Sequence, residues 1–260
     1  MNKSKLTIPK YIWIIISVSL LLLLWQFAAS TSSGSIVLAK PIDVFQKFVT
    51  KLKDGSLWQH VSISLYRIIC GFALGFTCSI PVAFLMGWYE PVRNILSPWI
   101  QFVRNIPPLA YIPLIILAAG VGERAKITVI FFASFLVSVV TIYQGVLNVD
   151  ITLIKAAKVL GAKNRDIFFR IVIPASTPYI FVAARLGLSS SLTTLIAAEL
   201  TGAQKGLGMM IQKAQAYYDR ETMLLGIIVV GIIGVAFERV VHLLERRLTG
   251  WQETQAQQKS

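Results

Sequence analysis

Six long stretches of this chain are almost free of charged residues, and they constrain its fold more than any other feature. A helix needs about 20 apolar residues to cross the core of a bilayer. The apolar stretches cover residues 11–29, 68–88, 106–121, 127–149, 171–198 and 222–237. The third is short, although residues 95–103 would extend it. None alternates polar and apolar side chains as a barrel strand does, so the chain is predicted to be an all-α membrane protein with about six transmembrane helices.

The composition of the chain fits a membrane protein better than an ordinary soluble domain. Only 14% of its 260 residues are charged and 55% are hydrophobic, whereas soluble domains carry about 25% charged residues. A formal charge of +13 would suggest nucleic acid in a soluble protein. Basic loops of a membrane protein attract anionic lipid and set its topology, so we expect a lipid membrane and no nucleic acid as partner. Cys70 and Cys78 are expected to be buried thiols, with a disulfide or metal site as the alternative.

The distribution of lysine and arginine predicts the orientation of the chain. With the N-terminus inside, the inner segments hold 14 of these residues and the outer segments hold 9. Both termini and the segment 148–174 are then cytoplasmic, and the segment 30–60 is external. We therefore expect a cytoplasmic tail at 1–10 and a single transmembrane domain at 11–260, whose residues 239–260 form a second cytoplasmic tail.

The first stretch and the segment after it each allow two interpretations. Three lysines precede the first stretch and Ala28, Ala29 and Ser30 follow it, as in a signal peptide. Its apolar core is longer than the usual 7–15 residues, so a retained helix is favoured. Pro41–Lys53 is predicted to be an amphipathic helix, either lying flat on the membrane or docking an external partner. Its apolar face comprises Ile42, Phe45, Phe48, Val49 and Leu52.

Proline and glycine mark special positions within the spans. Pro107, Pro108 and Pro113 predict a kink in the third span, because proline removes a backbone hydrogen bond. A broken membrane helix borders protein or a watery cavity, so Pro107 and Pro108 are candidates for a translocation pathway, with a plain structural kink as the alternative. Small residues also predict close helix packing. They are Gly71 and Gly75 in the second span and Gly226, Gly231 and Gly234 in the sixth.

Three charged residues in or beside the spans are further pathway candidates, because a charge at membrane depth must face protein or water. Arg185 lies inside the fifth span and either attracts an anion or forms an ion pair or carbonyl cap. Glu199 ends that span and either lines an outer gate or pairs with Lys205. Arg67 lies near the outer end of the second span. No catalytic cluster accompanies them, and the two histidines, His60 and His242, suggest no metal site, so the chain is not expected to be an enzyme.

The segment Lys155–Pro174, KAAKVLGAKNRDIFFRIVIP, is a basic insert between apolar runs. Residues 150–160 predict a short helix with Ile151, Ile154, Ala157 and Val159 roughly on one side. Gly161 can end that helix in a left-handed conformation. Residues 164–170 then predict a second short helix, and Pro174 marks entry to the fifth span. Two short helices joined at a glycine would form a rigid knuckle that can transmit a push.

The spacing of this segment resembles the cytoplasmic "EAA" loop of the membrane subunits of bacterial ABC importers. That pattern is EAA, three residues, G, nine residues, I-x-L-P. Lys155 stands where the family usually has Glu, and Ile173 where it usually has Leu. The resemblance implies that the loop couples the chain to an ATPase through the following residues: Lys155, Ala156, Ala157, Gly161, Ile171 and Pro174.

The resemblance extends from about residue 41 to 251 and is closest to permeases of the nitrate, sulfonate and taurine group. It implies the type I ABC importer permease (MetI-like) fold. The segments that carry it are LWQHVSISLYRI (57–68), IPPLAYIPL (106–114), GVGERAKI (120–127), IAAELTGAQKGLGMMI (196–211) and LERRLTGW (244–251).

The family implies three kinds of protein partner: a second copy of this chain, two cytoplasmic ABC ATPase subunits and an external substrate-binding protein. ATP and Mg²⁺ are expected on the ATPases, since the glycine-rich run GAQKGLG is not a phosphate-binding loop. The expected function is ATP-driven import of a small solute, such as an organic sulfonate, taurine or a nitrate-like anion, across the cytoplasmic (inner) membrane of a bacterium. The alternatives are an uncharged or heterocyclic nutrient in the same architecture, or a secondary transporter.

Overall fold

The computed structural model describes residues 10–31 and 37–257, and the regular structure within them is helical. This confirms the predicted fold class. The helices, in chain order, are α1 (Lys10–Ser30), α2 (Pro41–Lys53), α3 (Ser56–Trp88), α4 (Glu90–Arg104), α5 (Pro108–Ala119), α6 (Glu123–Leu147), α7 (Ile151–Val159), α8 (Asn164–Ile167), α9 (Ile173–Leu200), α10 (Leu207–Ala216) and α11 (Arg220–Gln257). A π-helical turn, Phe168–Val172, joins α8 to α9.

Five segments in the described part of the chain are long and apolar enough to cross a membrane. They lie in α1, α3, α6, α11 and the continuous helical run 164–200. Together, α4 and α5 also meet the criterion, but they meet at an angle of 102°. The predicted number of about six spans is therefore confirmed when this bent pair counts as one span.

The bend between α4 and α5 is sharper than the predicted kink. α4 ends at Arg104, and Pro107 and Pro108 occupy the cap and the first position of α5. Proline lacks an N–H and so cannot continue the hydrogen bonds of a preceding helix, but it suits the first turn of a new one. The two prolines therefore start a separate helix, and the extension of the third span across residues 104 and 105 is not straight.

The chain divides into two compact units, residues 1–59 with 210–228, and residues 60–209 with 229–260. Most of the core of the second unit lies along α6 and α9. The prediction that Gly71 and Gly75 form a close seam is confirmed, because a Cβ at either position would collide with Ile130 or with the backbone at Phe131 in α6. The lack of a side chain at these two positions of α3 lets α3 and α6 approach closely.

Two expectations about small residues in the spans are wrong. Gly231 has open space on its side-chain face and makes no close contact. Cys78 is exposed on the surface of α3, and only Cys70 is partly covered. Gly231 and Cys78 both lie away from the packed seam. Lipid covers the outer side of a membrane helix, so the hydrophobic effect gives its apolar residues no preference for the inner side.

The first unit holds α2, whose bounds match the predicted amphipathic helix. Val44 is its one buried residue, whereas Ile42, Phe45 and Leu52 are exposed. The predicted apolar face is therefore largely unpacked within the described residues. Lys47 on the same helix forms an ion pair with Asp219 at 2.9 Å.

Candidate functional site

The knuckle, residues 150–174, begins with a well-capped helix. Asp150 accepts a hydrogen bond from the backbone N–H of Thr152 at 2.7 Å, which satisfies an amide at the start of α7. Gly161 has φ +81°, and its N–H donates to the carbonyl of Lys158 while that of Ala162 donates to the carbonyl of Ala157. This pair of bonds is the Schellman motif that ends helices at a left-handed glycine. The predicted helix end at Gly161 is confirmed.

The second half of the knuckle differs from the predicted separate helix. Only residues 164–167 are α-helical, and the π-helical turn then runs directly into α9. Pro174 has no N–H to donate to the carbonyl of Arg170, so the regular α-helical bond is unavailable at this point. A π turn accommodates the gap without breaking the chain of helix. The knuckle is therefore continuous with α9.

One side of the knuckle is anchored in the core of the second unit. Ile167 and Val172 are buried, and they share a cluster with Phe84 and Ile142 from α3 and α6. Further contacts come from partly buried residues, namely Ile154, Ala157, Phe168 and Ile171. The anchoring residues come from both halves of the knuckle, so it is held as one rigid piece.

The other side of the knuckle exposes apolar residues. Val159 is 87% exposed and Leu160 86% exposed, so the expectation that Val159 shares a face with Ile154 and Ala157 is wrong. Lys155 and Ala156 are also exposed, whereas Ala157 is partly buried. The helix ends at Val159, and the chain turns at Gly161, which carries these side chains outward. Val159 and Leu160 thus form an exposed apolar pair at the end of α7.

A buried ionic cluster forms the second notable site. Arg67 on α3 is 1% exposed, and its Nε and Nη2 donate to the two carboxylate oxygens of Glu123 at 2.6 Å each. Its Nη1 donates to Oε1 of Glu199 at 2.6 Å and to the carbonyl of Lys205 at 2.8 Å. This bidentate geometry suits a guanidinium and a carboxylate. Arg67 therefore joins α3, α6 and α9.

The loop after α9 is held by the same cluster. Glu199 is fully buried and also accepts hydrogen bonds from the hydroxyl of Ser64 and the N–H of Gly208, both at 2.7 Å. The N–H of Leu207 donates to Oγ of Ser64, and that of Gly206 donates to Nδ1 of His60. Side chains on α3 thus bind the amides of Gly206 and Leu207, and Glu199 on α9 binds the amide of Gly208, so three successive amides of the loop are held. Such complete pairing is what makes a buried carboxylate tolerable.

Comparison with known proteins identifies the chain. The family described as "Binding-protein-dependent transport system inner membrane component" matches residues 75–250. The chain belongs to this family. A "Probable ABC transporter permease protein" of Brucella abortus (strain 2308) is 51% identical over 86% of this chain and 89% of its own length. The "Taurine transport system permease protein" of Escherichia coli (strain K12) is 36% identical over 89% of this chain and 86% of its own.

The fold agrees with this assignment. An inward-facing methionine ABC transporter structure superposes with a TM-score of 0.66, covering 74% of this chain and 97% of its own at 19% identity. The chain is thus a multi-pass inner membrane permease of the nitrate, sulfonate and taurine group, with the fold of type I ABC importer permeases. It is a transport component and not an enzyme.

The permease places the predicted pathway residues in different surroundings. Arg67 and Glu199 meet in the ionic cluster, so the partner of Glu199 is Arg67 and not the side chain of Lys205. Arg185 lies 3.7 Å from Glu245, which fits the ion-pair alternative, and it lines a pocket of about 610 Å³ between α9 and α11. Pro107 and Pro108 start α5 and take no part in the cluster. Whether any of them contacts substrate stays a prediction.

Sequence reasoning missed three members of the ionic cluster in the permease. Glu123 and Lys126 lie at the start of α6, and Ser64 lies one turn before Arg67 on α3. A signal was present, since Glu123 and Lys126 fall in the GVGERAKI segment that carries the family resemblance. Among the described residues, no group of three or more His, Cys, Asp or Glu side chains could hold a metal ion.

Proposed function

We propose that this permease passes a small anion of the organic sulfonate class, such as taurine, or a nitrate-like anion across the inner membrane in an ATP-driven importer. Support for the substrate class comes from the similarity to the taurine permease, which extends over 89% of the chain. The single observation that carries the coupling role is the knuckle, which is anchored on one side and exposes Val159 and Leu160 on the other.

The importer would contain this permease as a homodimer, two cytoplasmic ATPase subunits that hold ATP and Mg²⁺, and an external binding protein. The permease itself would contribute the membrane path and the knuckle. Its termini and the knuckle would lie in the cytoplasm, in keeping with the excess of lysine and arginine there. The exposed apolar side chains of the knuckle would fill a recess on an ATPase subunit, and Ala156 would let the two backbones approach closely.

A push on the knuckle would travel along α9. The knuckle runs into this helix without a break through the π turn, and the helix has 28 residues, or about 42 Å at 1.5 Å per residue. Glu199 lies at its far end, inside the ionic cluster. A movement of the knuckle would therefore displace the end of α9, and with it the ionic cluster and the loop after α9. This is the physical link between ATPase closure and the opposite side of the membrane.

The coupling role is tested with the importer reconstituted in liposomes. Gly161→Pro is incompatible with φ +81° and removes the N–H that donates to Lys158. Gly161→Asn tolerates the left-handed conformation and keeps that N–H. We expect Gly161→Pro to abolish taurine uptake and Gly161→Asn to retain it, with both proteins inserted in the membrane. Equal uptake by both variants would rule out the coupling role.

Substrate class is tested by competition. Taurine uptake is measured with excess methanesulfonate, nitrate or an uncharged heterocyclic nutrient, and binding to the external partner is measured in parallel. We expect the sulfonate to compete and the uncharged compound to have no effect. Uptake of the uncharged compound without any uptake of taurine, methanesulfonate or nitrate would overturn the proposed substrate class while leaving the coupling role intact.

A further inference from the structure

A cavity of about 310 Å³ lies beside the ionic cluster, between the start of α6 and the loop after α9. This volume falls within the range of small-molecule sites. Four charged side chains line the cavity together with apolar and small residues, and they are Arg67, Glu123, Lys126 and Lys205. With the proposed topology, the cavity opens toward the outside, where a binding protein would deliver its cargo.

Two of these four charges are already fully engaged. Arg67 makes four hydrogen bonds, two of them to Glu123, and both carboxylate oxygens of Glu123 accept from it. A guanidinium has five N–H groups, so Arg67 has little left to offer a ligand. Arg67 instead holds the carboxylates of Glu123 and Glu199 in position. Arg67 carries one positive charge against these two carboxylates, and the addition of Lys126 and Lys205 brings the sum of the five charges to +1.

Lys126, unlike Arg67, has hydrogen-bond donors that are not used within the protein. Its side chain is only 9% exposed, yet its ammonium makes one hydrogen bond, to the carbonyl of Gly122 at 3.3 Å. The nearest carboxylate oxygen, on Glu123, is 3.9 Å away. An ammonium has three N–H donors, and leaving donors of a buried charge unpaired is costly. Lys126 lines the cavity, which offers space for a further acceptor.

Lys205 adds a second cation at the wall. Its backbone carbonyl is fixed by Arg67 at 2.8 Å, and its side chain is exposed and has no ion-pair partner among the described residues. The N-terminus of α6, which starts at Glu123, contributes further positive potential to the same space. The cavity therefore has two cations with unused donors, Lys126 and Lys205, whereas both oxygens of its one carboxylate, that of Glu123, accept from Arg67. This charge arrangement selects an anion.

We propose that Lys126 and Lys205 bind a small oxyanion of the sulfonate class in this cavity, at the outer entry to the pathway. The oxygens of the anion accept hydrogen bonds from the two ammonium groups, and Arg67 positions the carboxylate-bearing wall without touching the anion. As a substrate site, this inference rests on the proposed function. As an anion site, it stands on the geometry alone.

The site is tested first without transport, using the full-length permease in lipid nanodiscs. Gln204 is exposed and lines the cavity, so Gln204→Cys serves as a reporter after Cys70→Ser and Cys78→Ser remove the native thiols. Its modification rate is compared between an anionic and a cationic methanethiosulfonate reagent. We expect Lys126→Gln to lower the ratio of the anionic to the cationic rate roughly tenfold, because one nearby positive charge is lost. We expect methanesulfonate to slow labelling only when Lys126 is present.

Three control variants make the result specific. Lys126→Arg keeps the charge and should keep both the rate ratio and the protection. Lys53→Gln removes an exposed lysine from α2 and should change neither. Lys205→Gln carries the same expectation as Lys126→Gln and decides the matter if the buried substitution impairs folding. An unchanged rate ratio in Lys205→Gln, or protection by methanesulfonate that survives both substitutions, would overturn the site.

Transport then separates this site from the proposed function. In the reconstituted importer, Lys126→Gln should raise the KM for taurine several-fold. If methanesulfonate protects Gln204→Cys but the wild-type importer takes up no sulfonate, the anion site stands and the proposed substrate is wrong. If the wild type takes up taurine and Lys126→Gln does so with an unchanged KM, the proposed function stands and the substrate role of the site is wrong.

Discussion

Arg67 and Glu199 form a 2.6 Å ion pair inside the permease, although 132 residues separate them in sequence. Arg67 is 1% exposed and Glu199 is fully buried. Because charges are expensive to remove from water, they persist in such a place only when each has several partners. Glu199 has three, and Arg67 binds two carboxylates and a carbonyl. The pair therefore fastens the end of α9 to α3.

Removing the arginine from this pair should destabilise the permease severely. Arg67→Met leaves Glu199 buried without its cation, and loss of one partner of a buried pair costs about 3–5 kcal/mol. The midpoint of thermal unfolding in detergent measures the effect. The matched control is Arg185→Met, because Arg185 is about one-third exposed and its ion pair is long, at 3.7 Å. The two variants should differ widely, and similar midpoints would contradict a structural role for the cluster.

The seam between α3 and α6 should not tolerate a methyl group. In Gly75→Ala, the new Cβ would collide with the backbone carbonyl of Phe131, which cannot move aside as a side chain can. Overpacking of this kind costs about 1–3 kcal/mol. Gly231→Ala is the control, since it adds the same methyl in a membrane helix where the space is open. Differential scanning fluorimetry should show a lower midpoint for the first variant and an unchanged one for the second.

Substitution by alanine should destabilise the permease more at Gly206 than at Gly120, although both glycines have a positive φ. At φ +134°, a Cβ would overlap the carboxylate of Glu199, so Gly206→Ala combines backbone strain with a collision. Gly120→Ala carries strain alone, because nothing lies near its Cβ position at φ +80°. Strain of this type costs about 1–2 kcal/mol. The unfolding midpoint should be highest for the wild type, lower for Gly120→Ala and lowest for Gly206→Ala. A lower midpoint for Gly120→Ala than for Gly206→Ala would contradict the close contact between Gly206 and Glu199.

Substitution on the exposed side of the knuckle should separate docking from folding. Leu160→Ser changes a side chain that is 86% exposed. The free energy of unfolding should therefore change by no more than about 0.5 kcal/mol. Co-purification with the ATPase subunits should nevertheless fall sharply, because the apolar contact is lost. Lys163→Ser, an exposed change on the same segment, is the control for general disturbance. A stable complex with Leu160→Ser would show that the apolar cluster is not the contact.

The start of α11 should lose stability only in strong acid. Burial by itself raises the pKa of Asp219, but hydrogen bonds from Lys47 and Thr222 outweigh it and hold the pKa well below the ordinary range. A lowered folded-state pKa adds stability above the unfolded-state value of about 4, and that stability is lost as the pH falls through the folded-state pKa. Hydrogen exchange at the amide of Thr222 should therefore be unchanged between pH 7 and 5, after correction for intrinsic rates.

Asp219→Asn isolates the charge in this experiment. Asparagine caps a helix about as well as aspartate, so the variant keeps the bond from the Thr222 amide. It loses the partly exposed ion pair with Lys47, which is worth at most about 1 kcal/mol, and the bond that Oδ2 accepts from the Thr222 hydroxyl. The amide of Thr222 should exchange modestly faster in the variant at pH 7, and the difference should shrink in acid. A difference that persists at the lowest pH would show that the charge is not its cause.

The helical parts of the permease were predictable from sequence because their causes are local. Uncharged runs of sufficient length indicated the membrane spans, and Gly161 indicated the end of α7, since both depend only on neighbouring residues. The bounds of α2 followed from Pro41 and the apolar repeat. The break at Pro107 was expected, but its angle of 102° depends on what α4 and α5 pack against.

Only the tertiary structure decided which charges meet and which side chains face outward. Arg67, Glu123 and Glu199 lie on three different helices, and no local rule pairs residues so far apart. The outward turn of Val159 and Leu160 likewise depends on the core that anchors Ile167. The sequence by itself determined the class of protein, its helices and the knuckle, because these depend on hydrophobicity and backbone geometry along the chain. The ionic cluster and the cavity beside Lys126 arise only when the packing of α3, α6 and α9 brings distant charges into a shared low-dielectric interior.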